Sequence, residues 1–402
     1  MTLPLVESAK TASVVVSLGS VAKFIRGVTF KPADVSGDGT GVICLRTKNV
    51  QRELDLSDVI RIPRHIVRRA EQFVQTGDLV VSSANSWNMV GKASWVGELQ
   101  EPMAVGGFIS VLRAASCNLD SRYLFWWFTS ESVQRTVRSF GQQTTNISNL
   151  NFERCLALEI PLPPLPEQRR IAGILDQVDE LRAQRRRSLA LLDEFLDSAL
   201  SSLVAKSDGT ALLGELVQEF RYGTSVKAGA VGAPVLRIPN VSSRELDLTQ
   251  IKSVELSDAE KARLLLRPGD LLIVRSNGNR AIVGATVEFP DCLVGRDFVY
   301  ASYLIRARPR PGISSTYLAK YLASSRGRAS LMSGATTSAG QYNINTKSLA
   351  AIPVTMPTIA EQERFTSLVR SVEESRGEMR SHLARLDELF ASLQHRAFRG
   401  EL

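Results

Sequence analysis

The sequence predicts a mixed α/β protein built from two pseudo-symmetric globular units separated by a long antiparallel two-helix coiled coil. Three observations predict this class. The chain repeats itself: RELDL opens at Arg52 and again at Arg244, and each copy reaches GDL, at Gly77 and Gly269, after the same gap and without insertion, an offset of 192 residues. A second echo pairs PLPPLPEQRRIAGILDQVDEL, from Pro161, with PTIAEQERFTSLVRSVEES, from Pro357, and sets their EQ pairs, Glu167/Gln168 and Glu361/Gln362, 194 apart. After each EQ pair, apolar residues recur on a 4-3 spacing, the seam pattern of a coiled coil. The division that follows is 1–163, a first globular unit; 164–206, a helix; 207–357, a second globular unit; and 358–402, a second helix.

The globular units read as mixed strands and helices. GDLVVS (Gly77–Ser82) and GDLLIV (Gly269–Val274) are predicted as short buried strands, and VGGFISVLR (Val105–Arg113) and DFVYASYLIR (Asp297–Arg306) as further strands. Ser121–Ser139 and Ser314–Met332 are predicted as amphipathic helices, with Tyr123, Trp126, Trp127, Tyr317 and Tyr321 on their core faces. A long helix is predicted over Glu167–Val204, where no proline occurs and no glycine follows Gly173. Ile171, Leu175, Val178, Leu189, Leu192, Leu196 and Ala199 mark its seam, and Phe365, Val369, Val372, Met379, Leu383, Leu386, Phe390 and Leu393 mark the seam of its partner. Arg182 and Arg376 interrupt the two seams at equivalent positions. Each either fixes register or snorkels outward. Prolines ahead of the first helix suit a first turn that needs no N–H, Glu167 favours the positive end of the helix dipole, and Thr358 and Glu361 have capping-box spacing.

Composition narrows the function. The basic excess behind the net charge of +8 resides in the globular stretches: 1–163 carries +3 and 207–357 carries +6, while 164–206 is neutral and 358–402 carries −1. A basic globular surface suits a polyanion such as DNA. No apolar run approaches the roughly 18 residues of a membrane span, and MTLPLVESAK lacks the basic start and apolar block of a secretory signal. Four scattered cysteines, Cys44, Cys117, Cys155 and Cys292, fit reduced thiols in a cytoplasm. Catalytic motifs are missing. His65, His382 and His395 are isolated, and there is no metal-ligand spacing, no GxxxxGK[ST] phosphate loop, no GxSxG elbow, and no Asn/Asp-Pro-Pro-aromatic tetrapeptide of an amino-methyltransferase.

What remains are polar loops at matching places in both copies. SSANSWNMVGK (Ser82–Lys92) follows one GDL strand and RSNGNRAIVG (Arg275–Gly284) the other; GQQTTNI (Gly141–Ile147) and GATTSAGQYNI (Gly334–Ile344) form a second pair. Asn and Arg can each bond a base edge bidentately in the major groove, although the same residue types populate ordinary turns. The candidate DNA contacts are Arg46, Lys48, Asn49, Ser83, Asn85, Trp87, Asn88, Lys92, Gln142, Gln143, Thr144 and Thr145 in the first unit. In the second they are Arg237, Asn240, Arg275, Ser276, Asn277, Asn279, Arg280, Gln341 and Tyr342.

The order unit–helix–unit–helix, with IPLPPLPEQRRIAGILDQVDEL and the ending LDELFASLQHRAFRGEL, resembles the specificity subunit of type I restriction-modification systems. TMPTIAEQ is less proline-rich than its counterpart. The resemblance implies two target-recognition domains, each reading half of a split duplex site, and no catalysis by this chain. It also implies two modification subunits that bind S-adenosylmethionine and methylate adenine, with two restriction subunits supplying ATP- and Mg²⁺-dependent translocation and cleavage. A 38-residue helix would run about 57 Å at roughly 1.5 Å per residue, against about 34–36 Å between successive major-groove sites on one face. An antiparallel pair would relate the two readers by a pseudo-two-fold axis. The competing expectations are a methylation-only specificity subunit, a stand-alone methyltransferase or nuclease, which would turn over DNA unaided, and a scaffold whose DNA retention lacks the steep salt dependence of a reader.

Overall fold

A computed structural model describes residues 14–402 apart from 145, 146, 244 and 339. The chain packs as two compact units, Met1–Arg185 with His382–Leu402, and Arg186–Ser381. Each long helix is therefore shared between units: every globular body carries one segment of both helices.

The first unit holds a four-stranded antiparallel sheet in the order Ala22–Arg26, Ile109–Ala114, Leu79–Ser82, Ala93–Trp95. A three-stranded sheet, Ile60–Ile62, Val42–Leu45, Met103–Val105, adjoins it, the last pair being parallel. The second unit repeats both: Val217–Tyr222, Leu304–Pro309, Leu271–Val274, Thr286–Glu288, and then Lys252–Val254, Ala233–Leu236, Val299–Tyr300. The GDL strands are buried at every residue, as their unbroken apolar runs require. Their motif is a turn closed by a buried aspartate. Gly77 and Gly269 take φ of 90° and 79°, where a side chain is strained. Asp78 and Asp270 cap the turn by accepting from the N–H of Gln75 and Arg267, and each carboxylate receives a forked guanidinium, from Arg113 and Arg308.

Two expectations need correction. The predicted helix Ser121–Ser139 is two helices, Ser121–Phe128 and Glu131–Ser139, and Ser314–Met332 is likewise Ser315–Ala323 and Ser325–Ser333. The break falls at Ser130 and Ser324, whose hydroxyls donate back to the carbonyls of Trp127 and Tyr321, closing one helix where the next begins. The predicted strands Val105–Arg113 and Asp297–Arg306 are also each two strands of different sheets, parted by turns at 106–108 and 301–303. The apolar run continues through both turns, so periodicity does not reveal them. The aromatics expected in the core are there: Tyr123, Trp126, Trp127, Tyr317 and Tyr321 are all buried.

The long helices run Leu165–Ala205, 41 residues, and Ile359–Ala397, 39 residues. In the first unit Ile171, Leu175, Val178 and Phe390 join the core formed by Tyr123, Trp126 and Trp127. In the second, Leu196, Leu200, Phe365, Val369 and Val372 join that of Tyr317 and Tyr321. Within each unit the helix segments are antiparallel, and both seam arginines turn inward. Arg182 donates to Asp387 at 2.6 Å and lies 4.2 Å over the Phe390 ring. Arg376, 5% exposed, bonds Asp193 and Glu373. Such buried polar seam contacts specify register.

The EQ echo marks where body meets helix. Gln168 is fully buried; its amide donates to the carbonyls of Asn118 and Pro163 and accepts from the Asp120 N–H, all at 2.8 Å. Gln362 repeats this with the Pro357 carbonyl at 2.9 Å and the Ser314 N–H at 3.1 Å. Thr358 and Glu361 bond as the capping box predicts on the glutamate side.

Candidate nucleic-acid interface

Backbone pairing brings together loops that lie some sixty residues apart in sequence. Beyond the strand Leu79–Ser82 the chain turns at Ser83, and Ala84–Asn85 pairs with Ile147–Asn149, which pairs with Gln142–Thr144. In the second unit Ser276–Asn277 pairs with Gln341–Asn343, which pairs with Thr336–Ser338. In each unit the chain beyond the GDL strand thus enters a small three-stranded sheet made mostly of Ser, Thr, Asn and Gln.

The candidates are distributed unevenly over this surface. In the second unit Ser276 Oγ donates to Gln341 Oε1 at 3.0 Å, joining the two loops directly. Asn277 and Asn279 accept backbone N–H groups two residues on, which shapes the loop, and Tyr342 is half-buried beside them. Arg280 is exposed, and Arg275 lies 4.7 Å over the Tyr222 ring. In the first unit Trp87 and Asn88 are exposed. Asn85 spends its amide on Ser82 Oγ and the Ser86 N–H. Lys92 is half-buried and donates to Gln51 at 2.8 Å; burial pulls its pKa below the usual lysine range. The backbone of Gln142, Gln143 and Thr144 forms the outer strand, while Thr145 lies outside the described residues.

A second group sits apart, on the loop that joins Val42–Leu45 to Ile60–Ile62 and, in the second unit, Ala233–Leu236 to Lys252–Val254. Arg46 and Lys48 both pair with Asp58, and Arg237 donates to the Gln250 carbonyl at 3.3 Å. Asn49 and Asn240 are corrections. Both are 1% exposed, and each fastens its loop by donating to two carbonyls, of Asp55 and Asp58 and of Asp247 and Gln250, and by accepting from the N–H of Arg46 or Arg237. Ser83 is a third, buried against Ser110. None of the three offers a free group to a base.

Two exposed aromatics belong to this surface and were not among the candidates. Phe108 and Tyr303, 62% and 61% exposed, occupy equivalent turns. The Phe108 carbonyl accepts from the Ser83 and Ala84 N–H groups, and that of Tyr303 from Arg275 N–H at 2.9 Å. Reading Val105–Arg113 and Asp297–Arg306 as single strands hid them; the GG and AS pairs ahead of each aromatic were the available turn signal.

Among the described residues no group of three His, Cys, Asp or Glu side chains is arranged to hold a metal ion, and no helix is long and apolar enough to cross a membrane. All four cysteines are free; burial raises the thiols of Cys44 and Cys155 to about 12.

Residues 12–191 match the family described as type I restriction modification DNA specificity domain. The chain is 28% identical to the EcoKI type I restriction enzyme specificity subunit of Escherichia coli K12, over 97% of this chain and 89% of that protein. It is 26% identical to the StySPI specificity subunit of Salmonella potsdam, over 96% and 88%. The fold matches the crystal structure of the S subunit of a type I restriction-modification system from M. genitalium, with a TM-score of 0.58 at 15% identity over 98% of both chains. A structure from work on complex assembly and conformational transition of the type I system gives 0.56 at 18% identity, over 98% of this chain and 99% of that one. With the duplicated architecture and the paired helices, these likenesses make the chain similar to the specificity subunits of type I restriction enzymes.

Proposed function

We propose that this chain reads a bipartite duplex site, one half-site per unit, for a cytoplasmic type I complex. Its long helices carry two modification subunits, joined in the restricting form by two restriction subunits. S-adenosylmethionine, ATP and Mg²⁺ belong to those partners. The observation that carries the reading is the small polar sheet present once in each unit, where two loops distant in sequence converge beside cations and an exposed aromatic. Its amides and hydroxyls suit base edges in the major groove, and Arg275, Arg280 and Lys92 suit phosphates. The basic excess of both globular stretches favours the same polyanion. The loops differ between the two units, so the half-sites differ. A 41-residue helix, about 61 Å long at roughly 1.5 Å per residue, is long enough to hold two readers at least a helical turn of DNA apart.

Methylome sequencing of cells expressing this chain with its modification subunits tests the reading. The expected result is adenine methylation at two dissimilar half-sites across a constant gap, and lengthening both helices by one turn should change that gap. Methylation at a continuous site, or none, would overturn the proposal.

A further inference from the structure

The RELDL repeat lies outside the polar sheets, and the reading function does not account for it. Its described residues, 52–56 and 245–248, lie at the tips of loops whose bases are fastened by the buried Asn49 or Asn240. Both tips reach the unit's own helix. In the first unit Arg52 bonds Asp179, and in the second Glu245 accepts a forked guanidinium from Arg380 at 2.8 and 3.0 Å, with Arg376 at 3.7 Å. One motif therefore makes the same attachment with opposite charges, its arginine in one copy and its glutamate in the other.

We propose that these loops are straps that stop each reading unit from pivoting on its helix, and so set how strictly the complex measures the gap between half-sites. The proposal rests on the bipartite reading above. Each body is attached first at Gln168 or Gln362. The strap contacts lie eleven residues further along at Asp179, and eighteen at Arg380, or roughly 16 and 27 Å at 1.5 Å per residue. Ile171, Leu175 and Val178 already hold the first body to its helix through the core, and Phe365, Val369 and Val372 the second; the strap adds a polar contact beyond them. Clefts lie beside the strap contacts. A cleft of about 610 Å³ is lined by strap residues Arg52 and Glu53 and by Asp176 and Asp179 of the helix, and one of about 1060 Å³ lies beside Glu245 and Arg380. Beside these clefts the polar strap contacts add to the apolar packing that joins body and helix. In the first unit the strap also reaches the reading loop: Gln51 accepts from Lys92 at 2.8 Å, and its carbonyl from Ser94 at 2.6 Å.

The test uses the chain assembled with its modification subunits and reads methylation at the native gap against gaps one base pair shorter and longer. Glu245→Lys sets like charges against Arg376 and Arg380, and Arg52→Asp does the same against Asp179. Each should lower gap discrimination about tenfold while leaving both half-sites unchanged. The swap Glu245→Lys with Arg380→Glu should restore it. Unchanged discrimination in both single variants overturns the strap, as does an equal loss of methylation at every gap, which would mark a merely structural role. A wild-type complex that methylates no split site overturns the bipartite reading instead, and the strap with it.

Discussion

Replacing Gln168 by alanine should loosen the first globular body from the helix it sits on. The side chain is fully buried, and its loss leaves the carbonyls of Asn118 and Pro163 and the N–H of Asp120 without partners. A buried unpaired polar group costs about 1–3 kcal/mol, so three groups at the lower end cost about 3 kcal/mol. For a unit of roughly 200 residues that lowers its melting temperature by about 6–12 °C. The loss should also spread locally. Asp120 caps the helix Ser121–Phe128 by accepting from Arg122 and Tyr123 N–H groups, and Tyr123 and Trp126 on that helix pack against the long one. Calorimetry of the assembled complex reads the first effect, and amide hydrogen exchange over 118–128 reads the second. Gln362→Ala, which frees one carbonyl and one N–H, should cost less and act only on the second unit. A Gln168→Ala melting point within about 2 °C of wild type, with unchanged exchange at Asp120, would refute the reasoning.

Two further outcomes follow from charges. Hydrogen bonding from Arg380 holds the Glu245 carboxyl below the ordinary glutamate range; with the folded pKa under the unfolded value of about 4.3, the strap's contribution is present above that pH and is lost as pH falls through the folded pKa. Glu245→Gln should therefore flatten the acid limb of exchange protection in 237–250, and an identical acid limb would count against the contact. Arg280→Ala removes an exposed cation beside the second polar sheet, so DNA affinity should fall about equally on all sequences and the salt slope should drop by about one; a changed half-site with an unchanged slope would make Arg280 a base reader instead.

Much of the fold was legible because it is written locally. The 4-3 seam identified both long helices, since a residue's place on a helix face depends only on near neighbours. The aromatic spacing of Tyr123, Trp126 and Trp127 identified a core face for the same reason. Legibility failed where a non-local partner decides. Ser130 and Ser324 are neutral to a helical pattern, and only the packing of the next helix makes them breaks. Asn49 and Asn240 look like surface donors in sequence, yet the loops close around them. Phe108 and Tyr303 sit in apolar runs that read as strand interior until the two halves of each run pair in different sheets.

The sequence by itself determined that the chain is a duplicated α/β unit with a long helix after each copy, because repetition and periodicity are properties of order along the chain. It also located the polar loops, though as four separate stretches. Only the tertiary structure decided that Ala84–Asn85 shares one sheet with Gln142–Thr144 and Ile147–Asn149, that Ser276–Asn277 shares another with Thr336–Ser338 and Gln341–Asn343, and that Arg52 and Glu245 reach Asp179 and Arg380 of the long helices. Those pairings join residues that local propensity leaves independent; burial of the strands between them and the register of antiparallel hydrogen bonds bring them side by side.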